Sequence, residues 1–317
     1  MIIEKTAEEK TDSNLNQRIS VPSQISFNPR LRLMDFATFA YIGLVALLLI
    51  FFHEGVQHWP WLVLLHVVII GALMLFINYV EKKSFSKVLI FFRDAYPFFL
   101  YIFMFEELHL IANILFPFWL EGKLIQWDLF LFGQYPTVWV QSLFRPWLTE
   151  YMAFSYWSYY VIFPTVGVVL YLRKNKALYH SYAFHLSFTF YLCYFLYLFL
   201  SARGPHETLA HLHLVRTTAG FFDNLVLTIQ GQASVSGAAF PSSHVAAVWV
   251  AWIFVFKYKR TAGWILLPLV ISLSISVVYM QYHYAVDSIA GILLVLMTYP
   301  LARILEKKFP KKMAPPL

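Results

Sequence analysis

Three short polar clusters interrupt an otherwise apolar chain, and each holds residue types that handle phosphate or protons. The first is Phe240-Pro241-Ser242-Ser243-His244-Val245-Ala246. Proline suits the first position of a helix, and the amides of a first turn have no carbonyl partner. A helix opening here would offer N–H groups around Ser242 and Ser243 to an anion such as phosphate, with His244 on the same turn. The second cluster, Tyr282-His283-Tyr284-Ala285-Val286-Asp287, places His283 and Asp287 four residues apart, on one face of a helix. A carboxylate there can hold the imidazole in one tautomer and stabilise its cationic form. The third, Ser201-Ala202-Arg203-Gly204-Pro205-His206, offers in Arg203 a planar fork suited to phosphate oxygens.

Each cluster also has a plainer reading. Taken singly, a histidine such as His244 near a helix end is more often structural than catalytic. The His283 and Asp287 spacing also suits two metal ligands, and His206, His211 and His213 stand in the neighbouring loop. The set lacks cysteines and a third carboxylate, so no metal is expected and the three loop histidines read as solvated. Glu106, Glu107 and His109 read as substrate contacts or as an interhelical polar cluster, with burial in the bundle interior the expectation, and Asp128 and Arg145 as interfacial anchors. The many tyrosines read as belt and packing residues.

The elements that must position these clusters follow from composition. The chain has 317 residues, 60% apolar, 19% aromatic and only 13% charged, with a mean hydropathy of +0.62. Soluble domains carry roughly twice that charged fraction, so a polytopic membrane protein is expected, and a secreted disulfide scaffold or free cytosolic enzyme is excluded. The single Cys193 lies in an apolar run and can form no intrachain disulfide. Stretches of about 20 apolar residues, enough to cross the hydrocarbon layer as helices, occur at Phe36 to Phe52, Trp59 to Val80, Ala95 to Pro117, Met152 to Leu172, His180 to Leu200, Ala238 to Phe256, Gly263 to Gln281 and Tyr284 to Ala302. The expected fold is therefore an all-α membrane bundle of about eight transmembrane helices, preceded by a polar, disordered tail without a cleavable signal.

With eight spans the connections alternate between sides, and 19 of the 24 Lys and Arg fall on one of them. The positive-inside rule makes that side cytoplasmic, with both termini. The net charge of +7 then reads as topology, and no nucleic-acid partner is expected. All three clusters fall on the opposite, extracytoplasmic side: periplasmic or extracellular in a bacterium, luminal in a eukaryote. The long connections also lie there, Trp119 to Glu150 rich in aromatics and Arg203 to Ser236 polar and punctuated by glycine.

In combination the clusters resemble the type 2 phosphatidic acid phosphatase superfamily. Pro241-Ser242-Ser243-His244 is similar to its Pro-Ser-Gly-His segment, with Ser243 where glycine is usual, and His283 and Asp287 are similar to its His-x-x-x-Asp ending. Two positions depart. Counting back from His283, the place of the family's phosphate-binding arginine holds Val277, and the first segment is reduced to Arg203-Gly204-Pro205 with no lysine seven residues before. Both departures are similar to the branch of inositol phosphorylceramide and sphingomyelin synthases, and Trp127 to Gly133 looks like a stretch seen ahead of the core in the inositolphosphotransferases.

The resemblance implies a six-helix lipid-phosphatase-like core at 95–304, preceded by a tail at 1–35 and two added helices at 36–94, and followed by a basic tail at 305–317. It implies that His283 attacks phosphorus, Asp287 orients it, and His244 protonates the leaving oxygen, while Arg203, Ser242 and Ser243 hold the phosphate. No cofactor is implied. The expected substrate is a phospholipid or other lipid phosphate in the bilayer; the acceptor is an alcohol, giving a phosphotransferase, or water, giving a phosphatase. A transporter or flippase would account for eight spans and for the intramembrane Glu106 and Glu107, but would leave the coincidence of His244, His283 and Asp287 on one face unexplained. A metal-dependent membrane hydrolase is the third alternative.

Overall fold

The computed structural model describes residues 31–82, 86–116, 118–173, 176–215 and 220–308, so the expected N-terminal and basic C-terminal tails lie largely outside the described residues. The protein is a helical bundle. Its long helices are α1 (Leu33–Phe51), α2 (Trp59–Lys82) and α3 (Lys87–Ile111). After a surface helix α4 (Glu121–Phe132) and a short turn α5 (Pro136–Trp139) come α6 (Pro146–Trp157) and α7 (Tyr159–Leu172), which together make one span, and then α8 (Lys176–Phe199). The short α9 (Pro205–Thr208) and the helix α10 (Phe221–Ala233) lead to α11 (Ser243–Tyr258), α12 (Arg260–Tyr279) and α13 (Ala285–Lys308).

Seven of these helices are long and apolar enough to cross a membrane, counting α6 and α7 as one; α11 is apolar but shorter. The chain is thus an integral, multi-pass membrane protein. Helix α8 is the axis of the bundle, packed on by α1, α3, α7, α11 and α13, and α11 in turn packs on α7, α12 and α13. Between the elements, Lys and Arg concentrate at one end of the bundle. His244 and His283 lie at the other, the histidine end.

The span boundaries differ from the hydropathy reading where a charge or a proline has found a partner. Helix α3 begins at Lys87 rather than Ala95; its expected end, Pro117, lies outside the described residues. Arg93 and Asp94 do not end the span because both are buried and paired. The Arg93 guanidinium grips Asp35 of α1 through Nη1 at 2.9 Å and Nη2 at 2.6 Å, and Tyr96 donates to the same carboxylate at 2.7 Å. Asp94 is met by Arg32, by Lys176 at 2.9 Å and by His180 at 3.5 Å. With Glu81 beside Arg32 at 3.1 Å, three cations face three carboxylates at the junction of α1, α2, α3 and α8.

The sixth span opens at Ser243, five residues later than Ala238. Residues 237 to 239 run instead as an extended strip against Ala202, with Ala202 N–H on Gly237 C=O at 3.2 Å and Ala239 N–H on Ala202 C=O at 3.1 Å. Pro241 precedes the helix rather than opening it; Ser242 is the N-cap, its Oγ accepting from Val245 N–H. Both long connections expected on this side carry helices, α4 to α6 and α9 to α10.

Of the polar trio in α3, only Glu107 is buried, against His66 of α2 at 3.2 Å. Glu106 and His109 are exposed, a correction to the expected interior cluster: they face away from α2 and share only a loose 3.8 Å contact with each other.

Candidate active site

The starts of α11 and α13 meet at the histidine end. Ser242 N–H donates to the Asp287 backbone carbonyl at 3.1 Å, which ties the N-cap of one helix to the first turn of the other. Gly291 permits this approach: a Cβ there would stand 2.6 Å from the Ser242 carbonyl oxygen. Asp128 of α4 then caps α13, its carboxylate accepting from Ala285 N–H at 3.0 Å and Val286 N–H at 2.9 Å. A carboxylate at a helix N-terminus satisfies orphan amides and complements the helix dipole. Burial pushes the Asp128 carboxyl up, while the two amides it accepts from pull it down. Asp128 is therefore a cap that aims the first turn of α13 rather than the interfacial anchor its position suggests.

His283 is buried, and its Nδ1 lies 2.9 Å from the Ala239 carbonyl and 3.3 Å from Asp287 Oδ2. Both neighbours accept, so Nδ1 carries a proton. Asp287 Oδ2 is itself held by Tyr284 N–H at 2.9 Å. The His244 ring stands 5.7 Å from that of His283, centre to centre, packed on Tyr159 at 4.3 Å and Tyr156 at 5.3 Å. Its Nε2 is 3.3 Å from the Tyr156 hydroxyl, which also receives the Gln230 amide at 2.6 Å.

Both histidines, with Ser243, line one cavity of about 500 Å³. A single phosphoryl group there would touch both rings. Arg203 does not line it. Its Nε and Nη2 bind Glu121 Oε1 at 2.9 and 2.5 Å, and its guanidinium lies 4.8 Å over the Trp119 ring. The neighbouring wall is formed by Gly204 and His206 instead. His206, read from sequence as solvated, is half-buried; burial pushes its pKa down, and its Nδ1 has no hydrogen-bond partner.

The amides expected to hold phosphate are also partly engaged, Ser242 N–H by Asp287 and Ser243 N–H by the Tyr197 hydroxyl at 3.3 Å. Among the described residues, no three His, Cys, Asp or Glu side chains gather as a metal site would.

Tyr156, Gln230, Asp128, Glu121 and His206 were not marked as site residues by sequence. The contacts that define the first four join residues 74 to 158 positions apart, and no local spacing signals them.

A buried imidazole backed by a carboxylate and faced by a second imidazole in an apolar cavity is an arrangement suited to phosphoryl chemistry. Residues 122–301 match the sequence profile of the PAP2 superfamily, more than half of the chain, and the protein belongs to that family. Comparisons with curated proteins and with solved structures found no match. Family and fold together make it a membrane lipid phosphatase or phosphotransferase.

Proposed function

We propose that the protein is a lipid phosphotransferase that moves a phosphate-containing headgroup from a phospholipid to an alcohol through a phosphohistidine on His283. The observation that carries this reading is the charge of the cavity. Among the described residues that line it there is no Lys or Arg, and Glu106 is its only charged side chain. The position of the family arginine is Val277, fully buried, and Arg203 is already matched by Glu121. A phosphomonoester carries close to two charges at pH 7, and burying them without cations is costly. A phosphodiester carries one, which roughly halves that burden. Diester substrates favour headgroup transfer over phosphatase action on a monoester.

In this scheme His283 Nε2 attacks phosphorus, the P–O bond to the lipid alcohol breaks, and His244 gives its proton to the departing oxygen. His244, now neutral, takes the proton of the acceptor hydroxyl as that oxygen attacks phosphorus and the P–N bond breaks, restoring both residues. Asp287 stabilises the positive charge that phosphorylation places on the His283 ring. The free His244 amide, which has no partner among the described residues, and the hydroxyl of Ser243 border the phosphoryl oxygens, while Ser242, fully buried, caps the helix behind them. Arg203 acts at the rim through its pair with Glu121. Helices α1 and α2 precede the family match and form an addition to a catalytic unit of residues 95–304.

The test is a purified, EDTA-treated sample given a phospholipid and a ceramide or diacylglycerol acceptor, with products read by mass spectrometry. A new phospholipid is expected. Inorganic phosphate released from a lipid phosphomonoester, whether or not an acceptor is present, would make the protein a phosphatase, and silence relieved by added metal would favour a metal-dependent hydrolase.

The Lys-rich end is cytoplasmic in this reading and the site extracytoplasmic, on the strength of the 19 to 4 division of basic residues between the loops of the two sides. Gln232 is exposed on α10, and the native Cys193 is fully buried. Gln232→Cys is therefore expected to react with an impermeant thiol reagent added to intact cells. Labelling only after permeabilisation would reverse the orientation.

A further inference from the structure

The cavity does not stop at the histidines. It continues toward the Lys-rich end as a groove walled by one face of α3 (Ala95, Phe98, Ile102, Phe105) and one face of α7. The α7 wall runs through Tyr160, Phe163, Pro164, Gly167, Val168 and Tyr171, the i, i+3, i+4, i+7 pattern of a single helical stripe. Both helices pack on α8, and the groove between them reaches the bundle surface, where Ile102 is 67% and Val168 48% exposed. From Tyr160 to Tyr171 the groove runs about 16 Å at 1.5 Å per residue, close to the roughly 15 Å half-thickness of a bilayer's hydrocarbon.

It then ends. Phe91, Tyr171 and Tyr179 meet edge to face at 5.4 and 5.1 Å, with Tyr179 fixed to the Asp94 carbonyl at 2.8 Å and Lys176 3.6 Å over the Tyr171 ring. Midway the groove narrows at Phe98, which stacks on Phe163 at 6.4 Å and lies so close to α7 that a Cβ on Gly167 would stand 3.1 Å from its ring.

We propose that the α3–α7 groove holds one hydrocarbon tail of the phosphate-bearing substrate, and that its aromatic end wall and the Gly167 waist set which tail lengths are accepted. This rests on the reading of His283 and His244 as the phosphoryl site, because continuity with that site identifies the occupant. A tail entering from the side keeps its apolar surface out of water throughout, and the headgroup is then drawn to the histidines by the same molecule.

Two phosphodiester lipids of equal headgroup, one with a six-carbon and one with a sixteen-carbon tail, separate the parts. Gly167→Leu pushes Phe98 into the groove; it is expected to lower kcat/KM for the long tail by about tenfold, the worth of roughly two buried methylenes, and to leave the short one unchanged. Tyr171→Ala opens the end wall and is expected to shift the preference toward longer tails. Equal effects on both lipids in both variants would overturn the proposal. A long-tailed phosphodiester with a photoreactive group at its tail end provides a readout independent of turnover. Adducts at Phe91 and Tyr171 are expected; adducts spread over exposed α2 positions such as Trp61 and Leu75 would refute the groove. Tail-end adducts in a protein that turns over neither lipid would leave the groove standing and overturn the phosphotransferase reading alone.

Discussion

His283→Ala is expected to abolish turnover and the acid-labile phosphoenzyme together, a loss of at least about 10⁴-fold, as for other covalent nucleophiles. The size follows from the geometry. Nδ1 is committed to Ala239 and Asp287, so Nε2 is the one nitrogen of that ring free to attack. His244 is not held in the same way: its Nε2 faces the Tyr156 hydroxyl, and no carboxylate among the described residues backs its ring. His244→Ala should instead slow formation and breakdown of the intermediate while leaving lipid binding intact. Asp287→Asn keeps an acceptor for Nδ1 but removes the negative charge, and an intermediate loss is expected. Intact-protein mass spectrometry after a substrate pulse reads the phosphoenzyme directly; full activity in His283→Ala would sink the scheme.

Arg93→Ala is expected to be the most destabilising single substitution at the Lys-rich end, by about 3–5 kcal/mol, the usual cost of leaving one member of a buried ion pair alone. Arg93 and Asp35 are both fully buried, and the carboxylate would keep only the Tyr96 hydroxyl and the Arg32 amide, the latter at 2.6 Å. A membrane interior offers no water to replace the lost cation. Removing both charges, as Arg93→Met with Asp35→Leu, should recover much of the loss, because a buried pair exchanged for apolar packing is often near neutral. The fraction of detergent-solubilised protein that stays monodisperse after heating measures both. Equal stability of the single and double variants would show that the pair is not what holds α1 to α3.

That His244, His283 and Asp287 come together was legible because each is specified locally. His283 and Asp287 are one helical turn apart, His244 sits in a helix-start pattern, and the apolar spans between them place both starts at the same end. The bundle itself follows from hydropathy. What could not be read depends on partners distant in sequence. Arg203 looks like a phosphate ligand until Glu121, 82 residues away, is seen on it. Arg93 and Asp94 look like the limit of a span until Asp35, Arg32 and Lys176 neutralise them. Asp128 caps a helix 157 residues further on. His206 is polar in a polar loop, and only the fold turns it into the cavity wall. Ala238 and Ala239 are apolar enough to belong to a span, yet their backbone bonds go to Ala202, outside any helix.

The brevity of α11 has a consequence for the choice of acceptor. Sixteen residues make about 24 Å of helix, roughly 6 Å less than the hydrocarbon layer is thick. Were its Lys257 end at one boundary, the His244 end would stop short of the other. A headgroup must sink to be handled, and any second reactant must be found at that depth. An amphiphile whose hydroxyl rides at the same level arrives by diffusion in two dimensions, whereas water has to be conducted downward past aromatic rings. Under the proposed scheme, such immersion would tilt the race for the phosphorylated enzyme toward alcohols already dissolved in the bilayer.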